Sequence, residues 1–275
     1  MEEHRFETLL VEPVGPAVVL TINRPRSLNA LNRTFLRELC EILDEIAADP
    51  HVRAVVLTGA GRGFCSGIDF SNGPNEAHVA SDVREVLLRA FRTGFAQLIP
   101  RLTSLPQPVI AAVNGPAAGA GLALALAADI RVCSESARFG ASFVRLGLSG
   151  CELGVSYLLP RIAGATLAFE MMLTGRFVEA AEAQRHGLVL DVVGEGHVVE
   201  AALQVATNIV RNSPFGVCMT KEVMRSNLDA PNLMAAMHLE NRTQALCFDS
   251  PDGAEARVAF IERRKPNFVA TRATS

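Results

Sequence analysis

Two glycine-rich stretches are the first places where this sequence could do chemistry with its backbone. TGAGRGFCSGID occupies 58–69 and GPAAGAGLAL occupies 115–124, each just after a strand-like apolar run. Glycine removes side chains from such loops, and the N–H groups left exposed at a strand end can hold an anion or a developing oxyanion. Tight turns and close helix packing explain the same composition, so the glycines alone leave both readings open. Neither stretch is a dinucleotide fingerprint. GxGxxG from Gly59 needs glycine where Phe64 stands, from Gly61 where Ser66 stands, and in the second stretch where Leu124 stands. There is no GxxxxGK[ST] phosphate loop and no GxSxG nucleophile elbow. Cysteines 40, 65, 133, 151, 218 and 247 form no CxxC pair, and the histidines form neither HExxH nor an i,i+4 pair, so no metal centre is predicted. Cys151 has no histidine beside it in sequence to activate it as a nucleophile.

The elements that must position these loops follow from periodicity. Strands are predicted at 6–11 and 17–22, joined through Pro13, Gly15 and Pro16 as a hairpin. A helix over 32–48 places Phe35, Leu36, Leu39, Ile42, Leu43 and Ile46 at helical spacing. The β-branched run 52–58 reads as a buried strand. After a polar stretch at 71–77, a second amphipathic helix is predicted over 82–99 with Ser81 as its N-cap. Strands at 109–113 and 130–133 flank an Ala/Gly-rich helix at 117–128, and beyond 152 nearly everything is helical apart from 188–193. The order predicts an α/β core over 1–195 and a helical part over 196–275.

Composition narrows the classes. The chain has 275 residues, 49% apolar but only 5% aromatic, which suits closely packed helices better than an aromatic-rich β-sandwich. A net charge of −3 provides no basic footprint for nucleic acid or an anionic membrane. Residues 102–128 carry no charge, yet Pro106, Pro108, Asn114 and Pro116 interrupt them. The clean run 117–128 spans about 18 Å as a helix, short of the roughly 30 Å bilayer core. The acidic N-terminus lacks an apolar targeting segment, and with unpaired cysteines this predicts a cytoplasmic protein.

At this point the residues resemble a known family. NRP…LNAL at 23–31, GFCSGID at 63–69, PVIAAVNGPAAGAGL at 108–122, LTGR…A…A…GLV at 173–189 and FIERRKPNF at 260–268 resemble the crotonase (enoyl-CoA hydratase/isomerase) superfamily. The motifs occur in order and at family spacing. The resemblance implies a crotonase-like α/β spiral of ββα turns with a C-terminal helical trimerisation region, and assembly as a homotrimer or a pair of trimers. It implies an acyl-CoA substrate, with coenzyme A as part of the thioester and no separate cofactor or metal. It also implies that two backbone N–H groups hold the thioester oxygen as it becomes an enolate, here those of Ile68 and Ala120. The family usually has glycine at the second position, but the N–H survives in alanine. Ser66, Gly67, Asp69 and Gly119 belong to the same loops, with Asp69 expected to tie its loop down. The segment 24–30 is expected to flank the CoA adenine and phosphates, with Ala30 at its end and Arg24 and Arg26 as candidate phosphate partners.

The acids decide which reaction is possible. Hydratases resembling this chain hold water between two glutamates, at positions occupied here by Ala123 and Phe143. A methyl and a phenyl ring cannot move protons, so ordinary hydration lacks its pair. Glu152, eight residues before Pro160, matches the single catalytic glutamate of the peroxisomal-type Δ3,Δ2-enoyl-CoA isomerases. Dienoyl-CoA isomerases place their acid one residue earlier, at Cys151. Apolar neighbours Phe143, Leu148 and Leu153 would raise the Glu152 pKa and strengthen it as a base if they line the pocket. The same carboxylate before a helix could equally stabilise the helix N-terminus. The leading expectation is a Δ3,Δ2-enoyl-CoA isomerase. The alternatives are a hydratase with non-standard acids and an acyl-CoA binding protein without turnover. The loop 71–81, the helix 82–99, Phe91 and Phe95 are expected to shape the acyl pocket.

Overall fold

The computed structural model of the chain describes residues 6–69 and 94–268. The loop 71–81, Phe91 and most of the helix expected over 82–99 lie outside the described residues. The strands among the described residues are β1 (Leu9–Val14), β2 (Ala17–Ile22), β3 (Ala54–Gly59), β4 (Val109–Val113), β5 (Ala117–Ala118), β6 (Ile130–Ser134), β7 (Arg138–Gly140), β8 (Phe177–Glu179) and β9 (Asp191–Val193). The helices α1 (Arg33–Ala48), α2 (Leu98–Ser104), α3 (Ala120–Ala127), α4 (Val155–Ala163), α5 (Ala165–Thr174), α6 (Ala180–Arg185) and α7 (Val198–Val210) belong to the same body. Three more, α8 (Pro214–Asn227), α9 (Leu233–Asp249) and α10 (Pro251–Ile261), follow it.

The main sheet has the order β1-β2-β3-β4-β6-β9, antiparallel only at the β1–β2 hairpin. Helices cover both faces, which is why β3 and β4 are buried at every residue and read as unbroken apolar runs. On one face α1 contributes Phe35, Leu39, Ile42, Leu43 and Ile46, with Asn32 Oδ1 capping its start by accepting from Phe35 N at 2.8 Å. On the other face α7 lays Val198, Ala202 and Ala206 against Val19, Val56, Ile110 and Ala112. These three sit at i, i+4 and i+8, and the two alanines let the helix approach closely. This helix therefore covers the sheet, although the sequence division puts it with the helical part.

A second sheet, β5-β7-β8, is absent from the sequence expectation. Its strands are two or three residues long, too short to show a period. One of them takes the start of the helix expected at 117–128. Ala117 and Ala118 pair with β7, Gly119 turns with φ 53, and α3 begins only at Ala120. The expected 82–99 helix also changes at its described end. A short 3-10 turn, Phe95–Gln97, leads into α2, which runs on to Ser104. Pro100 falls in the first turn of α2, where its missing N–H is not needed.

The last helices pack mainly on one another. No residue of α8 or α9 is buried, and α10 buries only Asp252 and Ala259. The link back to the core is electrostatic. Asp129 accepts Val109 N at 2.8 Å and pairs with Lys221 at 2.8 Å and Arg225 at 2.7 Å. No helix among the described residues is long and apolar enough to cross a membrane.

Candidate active site

The two glycine-rich loops meet. Cys65 bridges Ala117, with Cys65 N donating to Pro116 O at 3.1 Å and Ala118 N donating to Cys65 O at 2.9 Å. Such an approach leaves no room for side chains. A Cβ on Gly121 would collide with the Cys65 carbonyl, and one on Gly67 would lie 3.3 Å from Ala118 O and 3.8 Å from Ala120 N. Gly67 has φ 114 and Gly119 has φ 53, both in the region that favours glycine.

Two N–H groups come out of this junction unspent. Leu31 N donates to Gly67 O at 2.7 Å, and Asp69 N donates to Leu31 O at 2.9 Å. A parallel bridge of that pattern uses the groups on either side of Ile68 and turns the Ile68 N–H away from Leu31. Ala120 is the first residue of α3, so its N–H has no partner within the helix. Neither N–H meets an acceptor among the described residues. The Ala120 methyl packs inside the core cluster, so alanine is accommodated where the family usually has glycine.

Two asparagines hold the first loop in place, and neither was singled out by the sequence reading. Asn29 is fully buried with φ 59. Its Nδ2 donates to Ala60 O at 2.9 Å and Gly63 O at 2.7 Å, and its Oδ1 accepts from Arg24 N at 2.9 Å. From the other side Asn114 Nδ2 donates to Gly59 O at 2.8 Å and Gly61 O at 2.9 Å. The signal for Asn29 was its place in the LNAL motif, which carried no role there.

The expected CoA contacts divide. Arg24 points inward: one guanidinium nitrogen donates to Ala30 O and another donates to Asp69 Oδ2 at 2.8 Å. Arg26 is exposed and has no ion pair among the described residues. Ser66 is exposed, with its hydroxyl donating to Ser27 O at 3.2 Å.

Of the three apolar neighbours expected around the acid, Phe143 and Leu153 are packed inward and Leu148 is not. Ala123 is fully buried in α3, and the Phe143 ring lies against Gly119, 3.5 Å from where a Cβ would be. Leu148 and Cys151 are exposed, whereas Leu153 packs on the cluster that contains Ala120 and Phe143. Glu152 lies between them, half-buried, and burial pushes its pKa above the usual carboxylate range. Its carboxylate has no hydrogen-bond or ion-pair partner among the described residues. Helix α4 has no side-chain cap, and only the Glu152 carbonyl engages it, accepting from Val155 N at 2.9 Å. Capping therefore does not occupy this acid. Among the described residues no cluster of His, Cys, Asp and Glu could hold a metal ion.

Comparison with known proteins follows the same lines. The family model described as Enoyl-CoA hydratase/isomerase matches residues 15–271. The "Probable enoyl-CoA hydratase EchA12" of Mycobacterium tuberculosis is 43% identical over 263 residues, covering 95% of this chain and 92% of that protein. The 1,2-epoxyphenylacetyl-CoA isomerase of Escherichia coli is 36% identical, covering 96% and 98%. A crystal structure of an enoyl-CoA hydratase from Bacillus anthracis superposes with a TM-score of 0.87 at 32% identity, covering 96% of this chain and all of that one. None of these three carries a Δ3,Δ2-enoyl-CoA isomerase name, so the likeness extends to the family and not to that subgroup.

Proposed function

The chain belongs to the enoyl-CoA hydratase/isomerase family, and from that premise we propose that it acts on an acyl-CoA thioester by single-base enolate chemistry, moving a double bond from C3–C4 to C2–C3. The thioester oxygen sits between the N–H groups of Ile68 and Ala120. Donors aimed at a developing oxyanion contribute about 2.7–4 kcal/mol each. They stabilise the dienolate formed when Glu152 takes the C2 proton, and the same carboxyl returns that proton to C4. Burial raises the pKa of Glu152, which makes it a stronger base. The observation that carries this reading is the unpartnered, half-buried Glu152, together with Ala123 and Phe143 at the two positions where hydratases resembling this chain have acids.

Hydration is the second reading, and the names of the relatives favour it. It requires a second proton-moving group, which the buried Ala123 and Phe143 do not provide. We place the CoA moiety along 24–30 and Ser66, with Arg26 as the phosphate partner that remains unpaired. We also assign the helices after α7 to assembly as a trimer or pair of trimers, because Met224, Leu228, Leu233, Met234, Leu246 and Phe248 are exposed along α8, its C-cap and α9. Incubation with 3-enoyl-CoA and 2-enoyl-CoA separately tests the activity. Isomerisation lost in Glu152→Gln with CoA binding intact supports the first reading, and fast hydration of crotonyl-CoA overturns it. Binding without turnover of either thioester would indicate a protein that retains the scaffold alone.

A further inference from the structure

Arg24 and Asp69 form an ion pair beside the candidate site, and neither is free for the substrate. The pair is 2.8 Å apart and well shielded, with side-chain exposures of 21% and 10%. Asp69 directly follows Ile68, whose N–H is the first proposed oxyanion donor. Arg24 reaches Asp69 across 45 residues of sequence and at the same time donates to Ala30 O, one residue before Leu31. Leu31 in turn holds both peptide groups around Ile68, through Gly67 O and Asp69 N. One guanidinium thus ties together the two strands of the bridge that orients Ile68. The backbone it braces is strained: Leu28 and Asn29 both have positive φ, 50° and 59°, an arrangement that persists only where the surroundings over-determine it.

We propose that Arg24 and Asp69 are positioning residues for the reaction, a clamp that fixes the direction of the Ile68 N–H. This assignment rests on the oxyanion reading of Ile68 and replaces the phosphate role considered for Arg24. A planar fork can serve two acceptors in a fixed geometry, which a lysine ammonium on a flexible stem does not reproduce. The clamp therefore acts through alignment of a donor, and a misplacement on the order of 1 Å can cost about a hundredfold in rate.

The test uses Arg24→Lys, Arg24→Met and Asp69→Asn in the full chain, with a saturated acyl-CoA labelled with 13C at the thioester carbonyl. Bound to the wild type, the carbonyl stretch moves to lower wavenumber as two donors polarise it. Asp69→Asn and Arg24→Met are expected to lose about half of that displacement, one donor of two. Their kcat on 3-enoyl-CoA falls about tenfold to a hundredfold, while the Kd for free CoA changes less than about twofold. Combining the two substitutions costs little more than either alone, since both open one clamp. Arg24→Lys falls between wild type and Arg24→Met, and it decides on the same criteria if Arg24→Met does not fold. An unchanged carbonyl stretch and kcat in Asp69→Asn overturns the clamp. An unchanged stretch with CoA binding weakened about tenfold in Arg24→Met returns Arg24 to a phosphate role and overturns it equally. Failure of the underlying reading looks different. In that case the wild type itself shows no displacement of the stretch, and the clamp falls with it.

Discussion

Replacing Asn29 by alanine tests how the first loop is held, and its cost can be worked out from the contacts. Three hydrogen bonds disappear: those to Ala60 O at 2.9 Å, to Gly63 O at 2.7 Å and from Arg24 N at 2.9 Å. At about 1 kcal/mol each they contribute roughly 3 kcal/mol, more where the abandoned partner stays buried. Alanine must also adopt the φ of 59°, which asparagine tolerates better, adding about 1 kcal/mol. The expected loss is about 4 kcal/mol, a large part of the roughly 5–15 kcal/mol that holds a domain folded. Urea unfolding measures it directly, and the thermal midpoint should fall by roughly 8–16 °C. Asn29→Asp should cost at least as much, because a carboxylate would face two carbonyl oxygens. A loss below about 1 kcal/mol for Asn29→Ala would refute the claim that this side chain staples the loops together.

Four further outcomes follow from the structure. Glu152 must be ionised to take a proton, and burial raises its pKa, so turnover should fall off in acid at a higher pH than for an ordinary carboxyl near 4.3; a pH–rate profile checks this. The folded chain holds that proton more tightly than the unfolded one, so stability from this group is present below the unfolded pKa and lost as pH rises through the folded one. Glu152→Gln should then be slightly more stable than wild type at neutral pH by urea unfolding. Asp129→Ala leaves the mostly buried Lys221 without its partner and should cost about 3 kcal/mol, with proteolysis beginning in the C-terminal helices. Alkylation of the native protein should mark exposed Cys151 well before Cys65 and Cys133, which are buried and whose thiols burial pushes up to about 12; peptide mass mapping gives the order.

Much of the frame was legible because its pattern is local. β2, β4 and α1 fall on the residues that strand-like apolar runs and helical spacing mark. The second sheet was not legible, since Ala117–Ala118 and Phe177–Glu179 become strands only by pairing with β7. The two proposed oxyanion donors come from the family resemblance, whereas the way Leu31 turns the Ile68 peptide was not legible at all. Arg24 shows the limit most clearly. An arginine beside a proline looks like a solvent-facing cation, and nothing local reveals an acid 45 residues away that takes its guanidinium. The missing acids were plain, by contrast, because a position holding alanine or phenylalanine cannot act as a base whatever surrounds it.

In the proposed reaction one carboxylate, Glu152, carries the proton. The most direct measurement is the rate at which wild type and Glu152→Gln convert 3-enoyl-CoA to 2-enoyl-CoA, with the Kd for CoA determined alongside. Wild type should carry out the conversion, and the variant should lose at least about a hundredfold at unchanged affinity. Conversion by Glu152→Gln at the wild-type rate would contradict that role.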